Sequence, residues 1–399
     1  MKLTKNLQGM LASSFVFVVG RAIILPYLAL FMTQKFSLNQ QQLGWILGCS
    51  LTVASLCGIY AGYLADRFNK SGILRLACYL MGLSSLVFSL ANYLILVVLS
   101  LIVIEVAIVS RSIALKAALA EMVDETQRGK LFSINYTLIN LAFSLGPVFG
   151  ALVYKVENLA PFWLSAALAL SASALIPRQA LPASSTSTPR TGGFKQNWQV
   201  LRQDRRLLWF TLASVCSAFV FGRFISGYLA QYLLTQGGVA YAAELIPAIL
   251  VTNAVVVTAT QYLVGTWLKP GRLLAWVSLG LLFYIAGLVG FMQAQTVSAW
   301  ICATLIFTLG EVIVIPCEYL FIDSIAPAAQ RGSYYGVQSL SSFGVALNPV
   351  LCGYLLAHFA SALIFYVLIG FAFLAMLFFY LGARSTLSRS PELLMQSSS

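Results

Sequence analysis

Seven ionisable residues stand inside long apolar runs: Arg21, Glu105, Arg111, Lys116, Arg223, Glu311 and Glu318. A charge at the centre of a bilayer costs at least ~2.5–3.5 kcal/mol on insertion scales, so each must be functional or paired. Glu311 and Glu318 are the informative pair. Their spacing places both on one face of a helix, about 10.5 Å apart along its axis, with Pro316 between them as an expected bend. A carboxyl in a poorly hydrated cavity can take up a proton near neutral pH, and a change of hydration releases it. Competition between that proton and a second ligand for one site would exchange the two across the membrane. Glu311 and Glu318 are therefore the proton-coupling candidates; the alternative is that either is ion-paired across helices. Arg21 and Arg223 could each grip a carboxylate by bidentate hydrogen bonds, or pair with an acid such as Glu105 or Glu311. The sequence leaves both open. Tyr27, Phe31, Tyr228 and Tyr232 lie near these arginines. Aromatic walls suit amphipathic ligands, while lipid-facing packing is the simpler reading of any one ring. Glu105, Ser112 and Lys116 share a helical face, and a structural salt bridge is the expected role of Glu105 and Lys116.

The elements that hold these residues must be membrane helices. The chain has 399 residues, 60% of them hydrophobic and 9% charged, against ~25% charged in a soluble domain. That balance excludes a soluble enzyme, and it excludes a disordered chain, which needs low hydrophobicity. Twelve apolar segments are long enough to cross a bilayer: 9–34, 42–66, 72–91, 94–118, 129–153, 159–177, 206–235, 243–267, 272–293, 297–322, 331–357 and 361–384. The first is too long for a signal peptide, carries Arg21 in its middle and precedes no small-residue cleavage site. Apart from the mid-segment Arg21, Arg111, Lys116 and Arg223, 18 Lys and Arg residues fall on the side of the two termini and the loops after even-numbered helices. Only Lys35 and Lys155 fall on the other. Both termini are therefore expected to be cytoplasmic, and that distribution accounts for the net charge of +12 without nucleic acid.

One long connection, 178–205, has a Ser/Thr/Pro/Gly core at 182–193 that reads as a flexible linker. It separates a six-helix bundle, 1–177, from a second, 206–384, followed by a cytoplasmic tail, 385–399. The halves repeat each other. Gly20-Arg21, Tyr27-Leu28-Ala29 and Thr33-Gln34 recur as Gly222-Arg223, Tyr228-Leu229-Ala230 and Thr235-Gln236. Gln127-Arg128-Gly129 and Gly146-Pro147 recur as Gln330-Arg331-Gly332 and Asn348-Pro349. All are offset by 201 to 203 positions. Six helices per repeat gives both the same topology, related by an axis along the membrane normal, and two such bundles rocking about a central site is a transporter design.

Gly62-Tyr-Leu-Ala-Asp66-Arg67-Phe-Asn69-Lys70 resembles the signature loop of the major facilitator superfamily. In that family the loop latches the cytoplasmic face when the protein opens outward, which would assign Gly62, Asp66, Arg67 and Lys70 to a gate. An ordinary basic loop is the alternative. Asn69 stands in place of the family's second glycine, and Asn tolerates left-handed geometry. The second-half copy, Gly265-Thr-Trp-Leu-Lys269, lacks the acid. Ser144-Leu-Gly146-Pro147-Val-Phe-Gly150 is similar to the helix-5 motif of the superfamily's antiporters; a kinked packing helix is the alternative. Arg111 resembles the helix-4 arginine of the drug:proton antiporter branch and would join Arg21, Arg223, Tyr27 and Tyr228 as substrate-binding. Phe132-Ser-Ile-Asn-Tyr-Thr, Gly310-Glu311, Glu318-Tyr319 and Ile322-Asp323-Ser-Ile-Ala-Pro327 resemble the bacterial inner-membrane dipeptide exporters of this superfamily. The resemblance implies an all-α fold of twelve transmembrane helices in which helices 1, 4, 7 and 10 line the cavity.

Enzyme signatures such as HExxH, GxSxG and a phosphate loop are missing from the sequence. The seven cysteines lie in apolar runs without CxxC spacing, and His358 stands alone, so no metal site is indicated. The expected function is proton-coupled export of small amphipathic molecules, drugs or dipeptides, from the bacterial inner membrane. The expected partners are a small-molecule substrate, protons and lipid, with no nucleic acid, no catalytic residue, no cofactor beyond the proton gradient, and a monomeric chain. A proton-coupled importer or sugar exporter, or a membrane-embedded lipid-handling enzyme, are the competing readings.

Overall fold

The computed structural model describes residues 4–38, 40–177, 194–222 and 229–385. The described residues form fourteen α-helices: α1 Lys5–Phe36, α2 Gln40–Arg67, α3 Lys70–Leu90, α4 Leu94–Glu121, α5 Glu125–Tyr154, α6 Ala160–Ala174, α7 Phe194–Gln203, α8 Arg205–Phe221, α9 Leu229–Trp267, α10 Leu273–Gln293, α11 Val297–Ile325, α12 Arg331–Gln338, α13 Ser342–His358 and α14 Leu363–Arg384. Ten described helical spans are long and apolar enough to cross a membrane. The shorter α6 and α8 bring the fold to twelve crossings. Helices dominate because lipid offers no hydrogen bonds, so each segment must satisfy its own backbone.

Two departures from the expected segments, and one expected break, have local causes. The eleventh crossing is broken into α12 and α13 by a 3₁₀ turn at Ser339–Ser341. There the Ser339 hydroxyl donates to the Gly336 carbonyl at 2.6 Å and competes with the helical ladder. The expected break near 236–242 is present: Gly238 takes φ 74° and ψ −168°, a conformation open to glycine alone, and divides α9 into two helices there. The second part of the expected 178–205 linker is helical. Phe194, Trp198 and Leu201 recur at helical spacing, and this apolar stripe docks α7 along the end of the molecule that carries the basic loops. Phe194 meets Tyr60 and Tyr63 of α2 edge-on, and Asn197 donates to the Ser333 hydroxyl at 2.9 Å. The linker core, 182–193, lies outside the described residues.

In the first half α1 packs on α5 and α6, and α4 on α2 and α3. In the second, α11 packs on α9 and α10, and α8 on α13 and α14. The halves meet through α2 against α12 and α13, and α5 against α9 and α11. Lipid gives helices no hydrophobic reason to associate, so these seams rely on close backbone approach. At the α2–α12 crossing, a Cβ on Gly336 would stand 2.7 Å from the Gly58 carbonyl, and one on Gly332 2.6 Å from the Gly62 carbonyl.

Candidate functional site

Glu311 sits in mid-α11, where the two halves touch. Tyr136 of α5 donates its hydroxyl to Glu311 Oε1 at 2.6 Å. Asn253 of α9 donates to Oε2 at 2.9 Å and also to Thr308 at 3.0 Å. One oxygen is thus held from the first half and the other from the second. Both accept from donors, as an ionised carboxylate must. A protonated carboxyl would need one neighbour to accept instead: the Tyr136 hydroxyl can do so, but the Asn253 N–H cannot.

Glu318 lies nearer the basic end, and its surroundings differ. It is 5% exposed and faces Lys116 of α4 and the hydroxyls of Ser214 and Ser217 of α8. These hydroxyls lie beside it without a well-formed hydrogen bond, and Oε1 has no partner among the described residues. The two glutamates expected on one face are therefore met by different helices: Glu311 by α5 and α9, Glu318 by α4 and α8.

Arg21 pairs with Glu105 of α4 at 3.5 Å and lies 5.9 Å from the Phe143 ring, so its acid partner is internal. Arg223 and Tyr228 lie outside the described residues. Arg111, a substrate-binding candidate from the resemblance, is 3% exposed in this state. Its guanidinium donates to Ser13 at 2.8 Å, lies 4.3 Å over the Phe17 ring and borders Cys78 of α3. All of these neighbours belong to the first half. Tyr27 stacks on Tyr154 at 4.7 Å and packs into the first half rather than joining Arg21. Gly146 and Gly150 seat α5 directly on the α1 backbone: a Cβ on Gly150 would stand 2.8 Å from the Ile23 carbonyl. Pro147 lies within this continuous helix. The repeated Asn348 bonds the Phe219 carbonyl of α8 at 2.5 Å.

At the basic end the halves are pinned by charge. Asp66 accepts from the backbone N–H groups of Gly332 and Ser333 at 2.6 and 2.7 Å. Its carboxylate therefore satisfies the free donors and positive pole of the α12 N-terminus. Gly62 supplies the clearance, since a Cβ there would stand 2.9 Å from Gly336 Cα. Arg67 does not cross to the other half; it turns back onto Tyr63 of its own helix. Lys70 also stays in the first half, paired with Glu121 at 3.0 Å. Asn69 is not left-handed: at φ −60° it caps α3 by accepting from the Ser71 N–H.

Sequence reasoning missed the other pin. Asp323 of α11 pairs with Arg128 of α5 at 2.5 Å and with Arg331 of α12 at 3.2 Å. These are the arginines of the two repeated Gln-Arg-Gly phrases. That repeat was a visible signal that both arginines do the same job; nothing showed that they share one acid.

Replacing Asp66 by Ala removes a helix cap worth about 1 kcal/mol. The basic end should then open more often, by roughly fivefold in population. Spin labels at Phe68→Cys and Ala328→Cys, in a cysteine-free background, should show a new long-distance component. An unchanged distance distribution would discard the gating role of Asp66.

Comparison with known proteins agrees with this geometry. The Major Facilitator Superfamily model matches residues 10–343. The MFS-type transporter YdeE of Escherichia coli (strain K12) is 32% identical over 371 residues, covering 92% of this chain and 93% of YdeE. A Na(+), Li(+), K(+)/H(+) antiporter of Planococcus maritimus is 25% identical, with 87% and 88% covered. Among solved structures, FucP in its outward conformation superposes with a TM-score of 0.76 at 17% identity, covering 96% of this chain and all of FucP. The chain belongs to the Major Facilitator Superfamily. It is a multi-pass membrane transporter and not an enzyme, with the twelve-helix, two-repeat fold of that family. Among the described residues no three His, Cys, Asp or Glu side chains gather where a metal could bind.

Proposed function

We propose that this transporter exports small amphipathic molecules, drugs or dipeptides, in exchange for protons across a bacterial inner membrane, with its termini and basic end in the cytoplasm. Residues 1–177 and 206–384 act as the two rocking bodies, 178–205 as their linker and 385–399 as a tail. No cofactor other than the proton gradient is required, and the monomer surrounded by lipid is the working unit. The observation that carries this reading is Glu311, held between the halves by Tyr136 and Asn253. A proton placed on that carboxyl either reverses the Tyr136 bond joining the two bodies or breaks the Asn253 bond beside it, so proton binding and rocking share one group. The relative from Planococcus maritimus, named as a cation/proton antiporter, supports exchange over simple passage. Glu318 provides a second carboxyl, and the Asp66 and Asp323 contacts close the cytoplasmic end in this state.

The test is the purified protein in liposomes loaded with a pH-sensitive dye under an imposed proton gradient. Dipeptides, sugars and lipophilic cations are offered in turn. Proton movement that depends on a dipeptide or a lipophilic cation is the expected result. Labelled solute crossing with a flat dye signal would replace exchange with uniport.

A further inference from the structure

Lys116 belongs to α4 of the first half, yet its ammonium sits among side chains of the second. Nζ lies 4.0 Å from the ring centroid of Tyr319 on α11 and 5.9 Å from that of Tyr335 on α12. In this closed state Phe132 of the first half meets each ring edge-on, at 6.0 and 6.5 Å, and within the second half the Tyr335 hydroxyl reaches Asp323 at 3.5 Å. Glu318 faces the same ammonium but no ion pair within 4 Å joins them. Its Oε1, in a side chain 5% exposed, is without a partner among the described residues. Two aromatic faces and a carboxylate are the walls that recognise an organic ammonium. Here a lysine from the opposite body fills them.

We infer that Tyr319, Tyr335 and Glu318 form a subsite for the ammonium group of the transported molecule, and that Lys116 is its tethered occupant when the basic end is closed. The inference rests on the two-body reading above. The walls and the lysine belong to different halves, so parting at the basic end withdraws Lys116. Glu318 then has no lysine beside it, and either a proton or a positive group from the ligand can neutralise it. A ligand ammonium from the cytoplasm supplies the positive group. Closure brings Lys116 back to the rings and displaces the ligand toward the other side. Lys116 thereby prevents the ligand from remaining bound after closure. A lysine that only neutralised Glu318 would share the location but not the competition.

Competition is measurable with no gradient. Phenethylammonium is titrated into the purified full-length protein in detergent, with 2-phenylethanol as its neutral counterpart. Lys116→Gln should bind the ammonium about tenfold more tightly than wild type, the scale of one desolvated cation–π contact, with the alcohol unchanged. Lys116→Arg, which keeps a cation on the rings, should behave as wild type. Adding Glu318→Gln to Lys116→Gln should erase the gain. Competition by alanylphenylalanine but not by its N-acetyl form would assign the subsite to a peptide amino terminus; competition by simple amines alone would assign it to amine drugs. Equal ammonium affinity in wild type and Lys116→Gln, or an equal gain for the alcohol, overturns the inference. A gain in affinity cannot come from misfolding. Failure here leaves the proton-exchange experiment intact, and failure of that experiment leaves this binding result readable.

Discussion

Glu311→Gln is expected to insert, fold and purify like wild type, and to lose proton-driven transport in liposomes. The carboxamide keeps an oxygen for Tyr136 and similar volume, so helix packing survives. It has no exchangeable charge state, so the group shared by proton binding and rocking is silenced. The coupled flux should fall by roughly a hundredfold, the lower end of what a positioned proton-transfer group contributes. Solute exchange without a gradient should persist, because it needs rocking but not proton transfer. Tyr136→Phe is the companion variant. It removes one hydrogen bond to a charged group, worth about 1.5–3 kcal/mol, and should weaken coupling while leaving Glu311 titratable. Full proton-driven export by Glu311→Gln would falsify the assignment of the proton site.

The second large effect is expected at Asp323. Its side chain is 3% exposed, and Arg128 and Arg331 are 12% exposed, so solvent screens the pairs little. Removing one member of a buried pair typically costs about 3–5 kcal/mol, because the partner charge is left unpaired. In Asp323→Ala two guanidiniums are stranded at the seam. The closed basic end should lose its population advantage by about a hundredfold or more. In the spin-label experiment the long distance should become the major component, well beyond the effect of Asp66→Ala. Asp323→Asn, which keeps the shape and some hydrogen bonding, should fall between. If the short distance still dominates in Asp323→Ala, the glycine contacts alone hold the seam.

The helices were legible because lipid leaves little choice: an apolar run of sufficient length must be helical. Their breaks were less legible. The turn at Ser339–Ser341 depends on one hydroxyl choosing a carbonyl. The charged residues of the site could be picked out by their cost in lipid, and Glu311, Arg21 and Lys116 do meet partners across helices. Their partners could not be picked out. Tyr136 and Asn253 are ordinary in an apolar segment until Glu311 is placed beside them. Arg111 shows the limit in the other direction. Its type and position suggested a ligand contact, yet helical periodicity is blurred where both faces are apolar, and the side chain points into its own half. Asp66 and Gly62 were readable through their motif; Arg67 and Lys70 share that motif but make no cross-half contact.

The acids at the basic end are exchanged between the halves. Asp66 of the first half serves the α12 N-terminus of the second, and Asp323 of the second serves Arg128 of the first. Glu121, at nearly the matching place in the first repeat, is committed to Lys70 instead. Each half thus carries a key cut for the other, and neither can be matched by a duplicate of itself. Chimeras inherit this rule. A first half borrowed from a relative will close on this second half only if it brings an acid at position 66 and an arginine at position 128 together, which makes recombination between distant members far less tolerant at this end than their common architecture suggests.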